Sequence, residues 1–120
     1  MKEFMFIFKG ATQQYDFSPE EMQQHMHSWF SWVDDLKAKK IYLAGEALSP
    51  AGGKTVQGAK LLVTDGPFAE SKELVGGFIS IRAASIDEAV EIAKGCPDLQ
   101  LDGAVEVREI MKLNNEESQP

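Results

Sequence analysis

The stretch that decides the fold reads DGPFAESKE over residues 65–73 and continues as GGF over residues 76–78. Asp65 can accept hydrogen bonds from nearby backbone N–H groups, Gly66 permits a positive φ, and Pro67 fixes φ and removes a donor. These three residues predict a rigid turn that carries a carboxylate. The elements on either side of the turn then define the architecture.

The apolar pattern around this turn alternates between strand and helix periods. Ser18 and Ser85 each precede a helical pattern and are followed three residues later by a glutamate, which is the arrangement of a capping box. The predicted elements, in chain order, are a strand over residues 2–9, a helix from Pro19 to about Lys39, a strand over 41–48, short strands over 54–56 and 60–63, a strand over 77–83, a helix over 86–95 and a strand over 104–110.

Strand, helix and strand therefore follow one another twice, with a hairpin and the Asp65 turn between the two units. This order predicts a ferredoxin-like α+β fold, an antiparallel sheet with two helices on one face. The first strand is apolar on both faces, with Phe4, Phe6 and Phe8 on one and Met5 and Ile7 on the other. Because the helices cover a single face, the second face is predicted to be an interface.

The Asp65 stretch, together with GEAL over residues 45–48 and AVEVR over 104–108, resembles the DGPF proteins of the YCII-related family. The resemblance extends from residue 2 to about residue 110, with strands and helices in the family order. It implies a dimeric α+β barrel in which two sheets pack face to face. The predicted domain spans residues 1–112, and the polar residues 113–120 are predicted to form a disordered tail.

Composition narrows the function classes. A chain of 120 residues has room for one domain, and its net charge of -7 argues against nucleic acid as a partner. One cysteine excludes an internal disulfide, and two histidines provide no zinc-type cluster. The apolar stretch over residues 4–8 is too short to span a membrane, so a cytoplasmic location is predicted. We expect no metal or cofactor, and we expect the chain itself and a small molecule as partners.

The long helix holds the first candidate site residue. At 3.6 residues per turn His25 shares the inward face with Trp29 and Trp32, whereas His27 points away. The apolar stripe is expected to pack in the core. His25 is either a hydrogen-bonded, partly buried histidine or a group that transfers protons. Asp65 is likewise either a turn-forming residue or an acid.

The resemblance also implies chemistry. The better-studied branch of the family is similar to cofactor-free enzymes that use a histidine on the first helix and an aspartate before a proline after the second helix. Here Cys96 precedes that proline, and His25 lies about one turn before the matching position, which Ser28 occupies. The pair is thus not carried over intact. We hypothesise that His25 and Asp65 form the catalytic pair instead.

Other predicted site residues flank this pair. Trp29 and Phe68 are expected to form apolar walls, and Glu70, Lys72 and Arg108 are expected to bind the substrate, with Lys72 or Arg108 holding an anionic group. The alternatives are a solvated segment for Glu70 and Lys72, and a structural ion pair of Arg108 with Glu106.

Two functions follow from these expectations. One is a lyase or isomerase that uses acid-base chemistry on a small compound, with aromatic compounds among the candidates, in a cleft of a dimer. The other is a ligand-binding or regulatory partner domain, since some DGPF proteins resemble companions of sigma-factor-like regulators. A purely structural dimer is a third possibility.

Cys96 is expected to be either a mildly reactive thiol or a small buried residue.

Overall fold

A computed structural model describes residues 1–10, 17–49, 52–66 and 74–113. Its elements, in chain order, are β1 (Lys2–Lys9), α1 (Pro19–Ala38), β2 (Tyr42–Ala47), β3 (Lys54–Gln57), β4 (Leu62–Asp65), β5 (Val75–Ala83), α2 (Ile86–Ala93), a 3-10 helix (Pro97–Leu101) and β6 (Ala104–Glu109). From residue 114 onward the predicted tail lies outside the described residues.

The four long strands form an antiparallel sheet in the order β2-β5-β1-β6, and β3 and β4 form a separate hairpin. With α1 and α2 packed on the sheet, the predicted ferredoxin-like α+β fold is confirmed. The 3-10 helix after α2 was not predicted, and it carries a residue of the candidate site. Within the described residues, no helix combines the length and apolarity needed to cross a membrane.

The core lies between the two helices and one face of the sheet. Phe4 and Phe6 of β1 are fully buried there, and Leu36 of α1 and Ala89 of α2 pack in the same cluster. Since alternate residues of a strand point to the same face, the three aromatic residues of β1 meet the helices together. Burying aromatic side chains of this size supplies much of the stability of a small domain.

A capping box fixes the residue at which α1 begins. Ser18 Oγ accepts a hydrogen bond from the Glu21 backbone N–H at 3.1 Å, and Glu21 Oε1 accepts one from the Ser18 backbone N–H at 2.8 Å. Pro19 occupies the first turn, where its missing N–H costs nothing. The capping box satisfies two backbone N–H groups, while packing of Trp29 and Leu36 on the core turns the face of α1 that carries His25 toward the body of the protein.

The opposite face of the sheet is not covered by the helices. Met5 and Ile7 are partly buried there, Met5 pairs with Arg108, and Ile7 pairs with Glu106. Lys9 Nζ lies 2.8 Å from Glu106 Oε1, and Arg108 Nη1 lies 3.1 Å from Glu106 Oε2. The hydrogen bond from Lys9, followed by that from Arg108, lowers the pKa of the Glu106 carboxyl below its usual value. Charged and apolar side chains thus alternate on this open face.

Candidate functional site

A groove runs along α1, between that helix and the sheet. It has a volume of about 650 Å³, and apolar and aromatic side chains supply most of its lining. His25 and Asp98 line it toward the N-terminal end of α1, whereas Lys37 and Tyr42 line it farther along the helix. Its size and its apolar lining with a few polar groups are typical of a small-molecule site.

The central polar contact of the groove joins His25 to Asp98. His25 Nε2 lies 2.8 Å from Asp98 Oδ1, and the two side chains are only 11% and 12% exposed. The Trp29 indole Nε1–H donates to the same Asp98 oxygen at 2.9 Å. One carboxylate oxygen therefore holds two side chains of α1 in fixed positions.

The local sequence explains this geometry. His25 and Trp29 are four residues apart, which places them one above the other on the same face of α1. Asp98 lies in the first turn of the 3-10 helix, which begins at Pro97 directly after Cys96. The short helix packs against α1 and so delivers the carboxylate between the two side chains.

Aromatic contacts hold the same residues. The rings of Phe17 and His25 are stacked with centroids 5.6 Å apart, and Trp29 meets Phe8 edge to face at 4.8 Å. With Nε2–H donating to a carboxylate, a neutral His25 ring presents Nδ1 as its hydrogen-bond acceptor. The arrangement can therefore take up a proton at Nδ1 while Asp98 stabilises the resulting imidazolium.

Asp65 lies elsewhere, and the hypothesis that it partners His25 is corrected. Its side chain is 80% exposed at the end of β4, and its Oδ1 accepts a hydrogen bond from Lys54 Nζ across the hairpin. The physical reason is that β3 and β4 form a sheet of their own, outside the layer that α1 covers. The carboxylate beside His25 is Asp98.

The other predicted site residues divide into three groups. Trp29 lines the groove. Phe68, Glu70 and Lys72 fall within residues 67–73, outside the part of the chain that the structure describes. Arg108 bonds to Glu106 on the open face of the sheet, and the structure does not bring it to the groove.

Sequence reasoning missed Asp98 because it looked for an acid before the proline that follows α2, and found Cys96 there. The acid lies directly after that proline. The available signal was the sequence Cys96-Pro97-Asp98 itself, since a proline often opens a short helix and an aspartate suits the first turn. Nothing local in that signal points to His25.

Gly45 shapes the floor of the groove, and this also was missed. A Cβ at this position would lie 2.6 Å from Ile79 Cγ2 and 2.8 Å from the Tyr42 hydroxyl. Such distances are too short for real contacts, so only glycine lets the Tyr42 phenol lie against β2. The conformational freedom of Gly45 matters less than its lack of a side chain.

Cys96 is a buried thiol, as one of the two expectations stated. Desolvation raises its pKa from 9.0 to about 12, although the Asp98 and Leu99 backbone groups hydrogen-bond it and oppose the shift. A thiol with so high a pKa is a poor nucleophile at neutral pH. Its contact with the Asp98 backbone instead helps to fix the 3-10 helix.

Among the described residues, no three His, Cys, Asp or Glu side chains cluster closely enough to hold a metal ion.

Comparison with known proteins agrees with the fold. The YCII-related domain model matches residues 3–114, so the chain belongs to the YCII-related family. Among solved structures it is similar to 5-chloro-2-hydroxyhydroquinone dehydrochlorinase from Burkholderia phenoliruptrix AC1100, in complex with 2,5-dihydroxybenzoquinone. That likeness has a TM-score of 0.50 and 18% identity, and it covers 90% of this chain and 93% of the other. No curated protein matches the chain.

Proposed function

We propose that this member of the YCII-related family is a cofactor-free lyase or isomerase that moves a proton on a small ring compound in the α1 groove. The observation that carries the proposal is the 2.8 Å contact between His25 Nε2 and Asp98 Oδ1 in the wall of that groove. His25 is the acid-base residue, and Asp98 replaces Asp65 as its partner.

The division of roles follows from the geometry. Asp98 fixes the tautomer of His25 and stabilises the positive charge that the ring gains when Nδ1 accepts a proton. Trp29 holds the carboxylate through its indole N–H. In a lyase step, Nδ1 takes a proton from a ring O–H or C–H group. The electron pair left behind forms a new double bond, and the leaving group departs with its own bonding pair.

The groove suits a flat, largely apolar ligand. Trp29, Met26 and Phe30 line it beside the acid-base pair, and its volume lies in the usual range for small-molecule sites, about 300–1,000 Å³. The similar dehydrochlorinase was solved with a dihydroxylated quinone, which supports hydroxylated six-membered rings as the first ligands to test. Because the two chains are only 18% identical, the dehydrochlorinase suggests compounds to test and does not identify a substrate.

We further propose that the chain acts as a homodimer whose open sheet faces meet. Support comes from Met5 and Ile7, which the helices leave uncovered, and from the ion pairs of Glu106 with Lys9 and Arg108 on the same face. Opposite charges that alternate with apolar side chains suit a self-complementary contact. The narrower assignment to the DGPF proteins and the cytoplasmic location also stay predictions.

Ligand titration tests the proposal. We would follow ¹H-¹⁵N spectra during addition of 2,5-dihydroxybenzoquinone and of a panel of hydroxylated and chlorinated hydroquinones, and measure chloride release and absorbance changes. We expect the Trp29 indole signal to shift, and turnover to fall about 10²-fold or more in His25→Gln and in Asp98→Asn. The matched control, Asp65→Asn, should retain wild-type turnover.

Each remaining outcome has a clear meaning. Turnover that survives both His25→Gln and Asp98→Asn would refute the acid-base assignment. Tight binding without turnover of any compound would favour the ligand-binding or regulatory domain. An absence of shifts across the whole panel would refute the groove as a site for hydroxylated rings.

A further inference from the structure

The β3–β4 hairpin, residues 54–65, is an exposed arm. All eight residues of its two strands are exposed, and three of them, Val56, Leu62 and Val63, are large and apolar. Within the described part of the chain, the two strands pack mainly on each other. A two-stranded ribbon with this much exposed apolar surface is marginally stable in water unless something else covers it.

The tip of the arm strengthens this reading. Leu61 has a φ of 57° and is 70% exposed. The left-handed conformation brings the Cβ of a residue too close to the following carbonyl oxygen, and glycine or asparagine would form the same turn more easily. A strained and exposed leucine is explained if its side chain packs on a partner.

The same chain presents a second uncovered apolar surface on α1. Met22, Met26 and Phe30 are spaced four residues apart, so they form a stripe along the rim of the groove. All three are exposed, and Phe30 is 61% exposed. Methionine side chains are flexible enough to pack against varied apolar surfaces.

We infer that the arm of one chain packs on the α1 stripe of a second copy of this chain, with Leu61 at the contact. The exchange is reciprocal about one two-fold axis, so it covers two arms and two stripes, and it is a second contact within the proposed sheet-face dimer. Because the stripe borders the groove, the partner's arm also forms a roof over the candidate site. A second copy is the occupant that satisfies both surfaces at once.

Charge favours the same pairing. The arm carries Lys54 and Lys60 against Asp65, a net charge of +1 in a chain whose total is -7. Helix α1 carries four acidic residues against one lysine, a net charge of -3. An arm of opposite sign is thus attracted to the helix of a partner, whereas two α1 helices repel each other.

Sedimentation over a range of protein concentrations tests the inference. Leu61→Asn introduces a residue that adopts a positive φ easily, and Phe30→Glu changes an exposed position. Neither variant should therefore lower the stability of the isolated chain. We expect each to raise the dimer dissociation constant at least about tenfold. The matched control is Met111→Asn, which alters an exposed apolar residue outside both surfaces and should leave the constant unchanged. A monomeric wild type, or variants with the wild-type constant, would overturn the inference.

Disulfide trapping tests the pairing itself. Mixing Val63→Cys with Met26→Cys should give a covalent heterodimer on mild oxidation, whereas Val63→Cys with Met111→Cys should not. The buried native Cys96 does not compete, because its thiol is shielded. Equal cross-linking in both mixtures would contradict the assigned contact.

Ile7→Asp separates this inference from the sheet-face dimer. If Ile7→Asp dissociates the dimer and the arm variants do not, the sheet-face contact stands and the arm contact is refuted. The inference does not rest on the proposed acid-base chemistry, since neither Leu61 nor Phe30 takes part in proton transfer.

Discussion

Asp98 and Asp65 each lie within two residues of a proline, yet the fold treats them in opposite ways. Asp98 is buried in the 3-10 helix and accepts hydrogen bonds from two side chains of α1. Asp65 lies at the end of an exposed hairpin and pairs with Lys54. The comparison shows that a nearby proline determines only the local backbone. The part of the fold against which that backbone packs determines whether the carboxylate is buried and which groups it bonds.

The two aspartates should also contribute differently to the free energy of unfolding. A carboxylate that is shielded from water and bonded to two donors interacts more strongly than an exposed ion pair, which water and salt screen. Variants of the two aspartates should therefore differ in stability as well as in activity.

The largest difference is expected between Asp98→Ala and Asp65→Ala. Asp98→Ala leaves the Nε2–H of His25 and the indole N–H of Trp29 without their acceptor, at about 1–3 kcal/mol for each donor. Asp65→Ala removes an exposed ion pair, which is worth about 1 kcal/mol or less. Urea denaturation of the two variants measures the difference, and equal losses of unfolding free energy would contradict it.

Trp29→Phe sharpens the comparison within the buried site. Phenylalanine keeps an aromatic ring against Phe8 but removes the N–H that bonds Asp98. We expect a loss of about 1.5–3 kcal/mol, typical of a hydrogen bond to a charged group. Thermal and urea unfolding check it. The matched control is Trp32→Phe, which changes a neighbouring indole that does not bond Asp98. A control loss as large as that of Trp29→Phe would show that ring volume, and not the N–H, matters.

Cys96 tests whether the 3-10 helix region stays shielded from water. Its pKa is raised from 9.0 to about 12 in the folded chain, so its contribution to stability is fully present below pH 9.0 and is lost as the pH rises toward about 12. We expect wild-type protein to lose about 1 kcal/mol more than Cys96→Ala between about pH 8 and pH 10. Identical pH profiles for the two proteins would show that the thiol is open to solvent.

The smallest effect is expected on the open face of the sheet, where Glu106 has two cationic partners, so that losing Lys9 still leaves it paired with Arg108. Because the Lys9 hydrogen bond lowers the Glu106 pKa, its contribution is present above the ordinary value of 4.5 and is lost as the pH falls. On acidification, Lys9→Met should therefore lose only slightly less unfolding free energy than the wild type does. Acid titration followed by circular dichroism measures it, and a large shift of the midpoint would mean that this face is more shielded than the single chain shows.

Much of the fold was predictable because its signals are local. The alternation of Phe4, Phe6 and Phe8 and the caps at Ser18 and Ser85 are each read from a few neighbouring residues. The same local reading found the hairpin that ends at Asp65. The inward face of α1 correctly placed His25 and Trp29 toward the body of the protein.

The partner of His25 was not predictable in this way. Asp98 lies 73 residues away along the chain, and the sequence contains many other carboxylates. The choice among them depends on how α1 packs on the short helix after α2, which is a tertiary contact. Cys96-Pro97 signalled that a turn begins there, but it did not signal which helix the turn would touch.

The most direct test of the central claim is an ¹⁵N NMR measurement of the His25 ring in wild type, Asp98→Asn and Asp65→Asn. If Asp98 holds the ring, neutral His25 in wild type is protonated at Nε2, and its ring signals change in Asp98→Asn and stay unchanged in Asp65→Asn. Ring signals that respond to Asp65→Asn and are indifferent to Asp98→Asn would contradict the account.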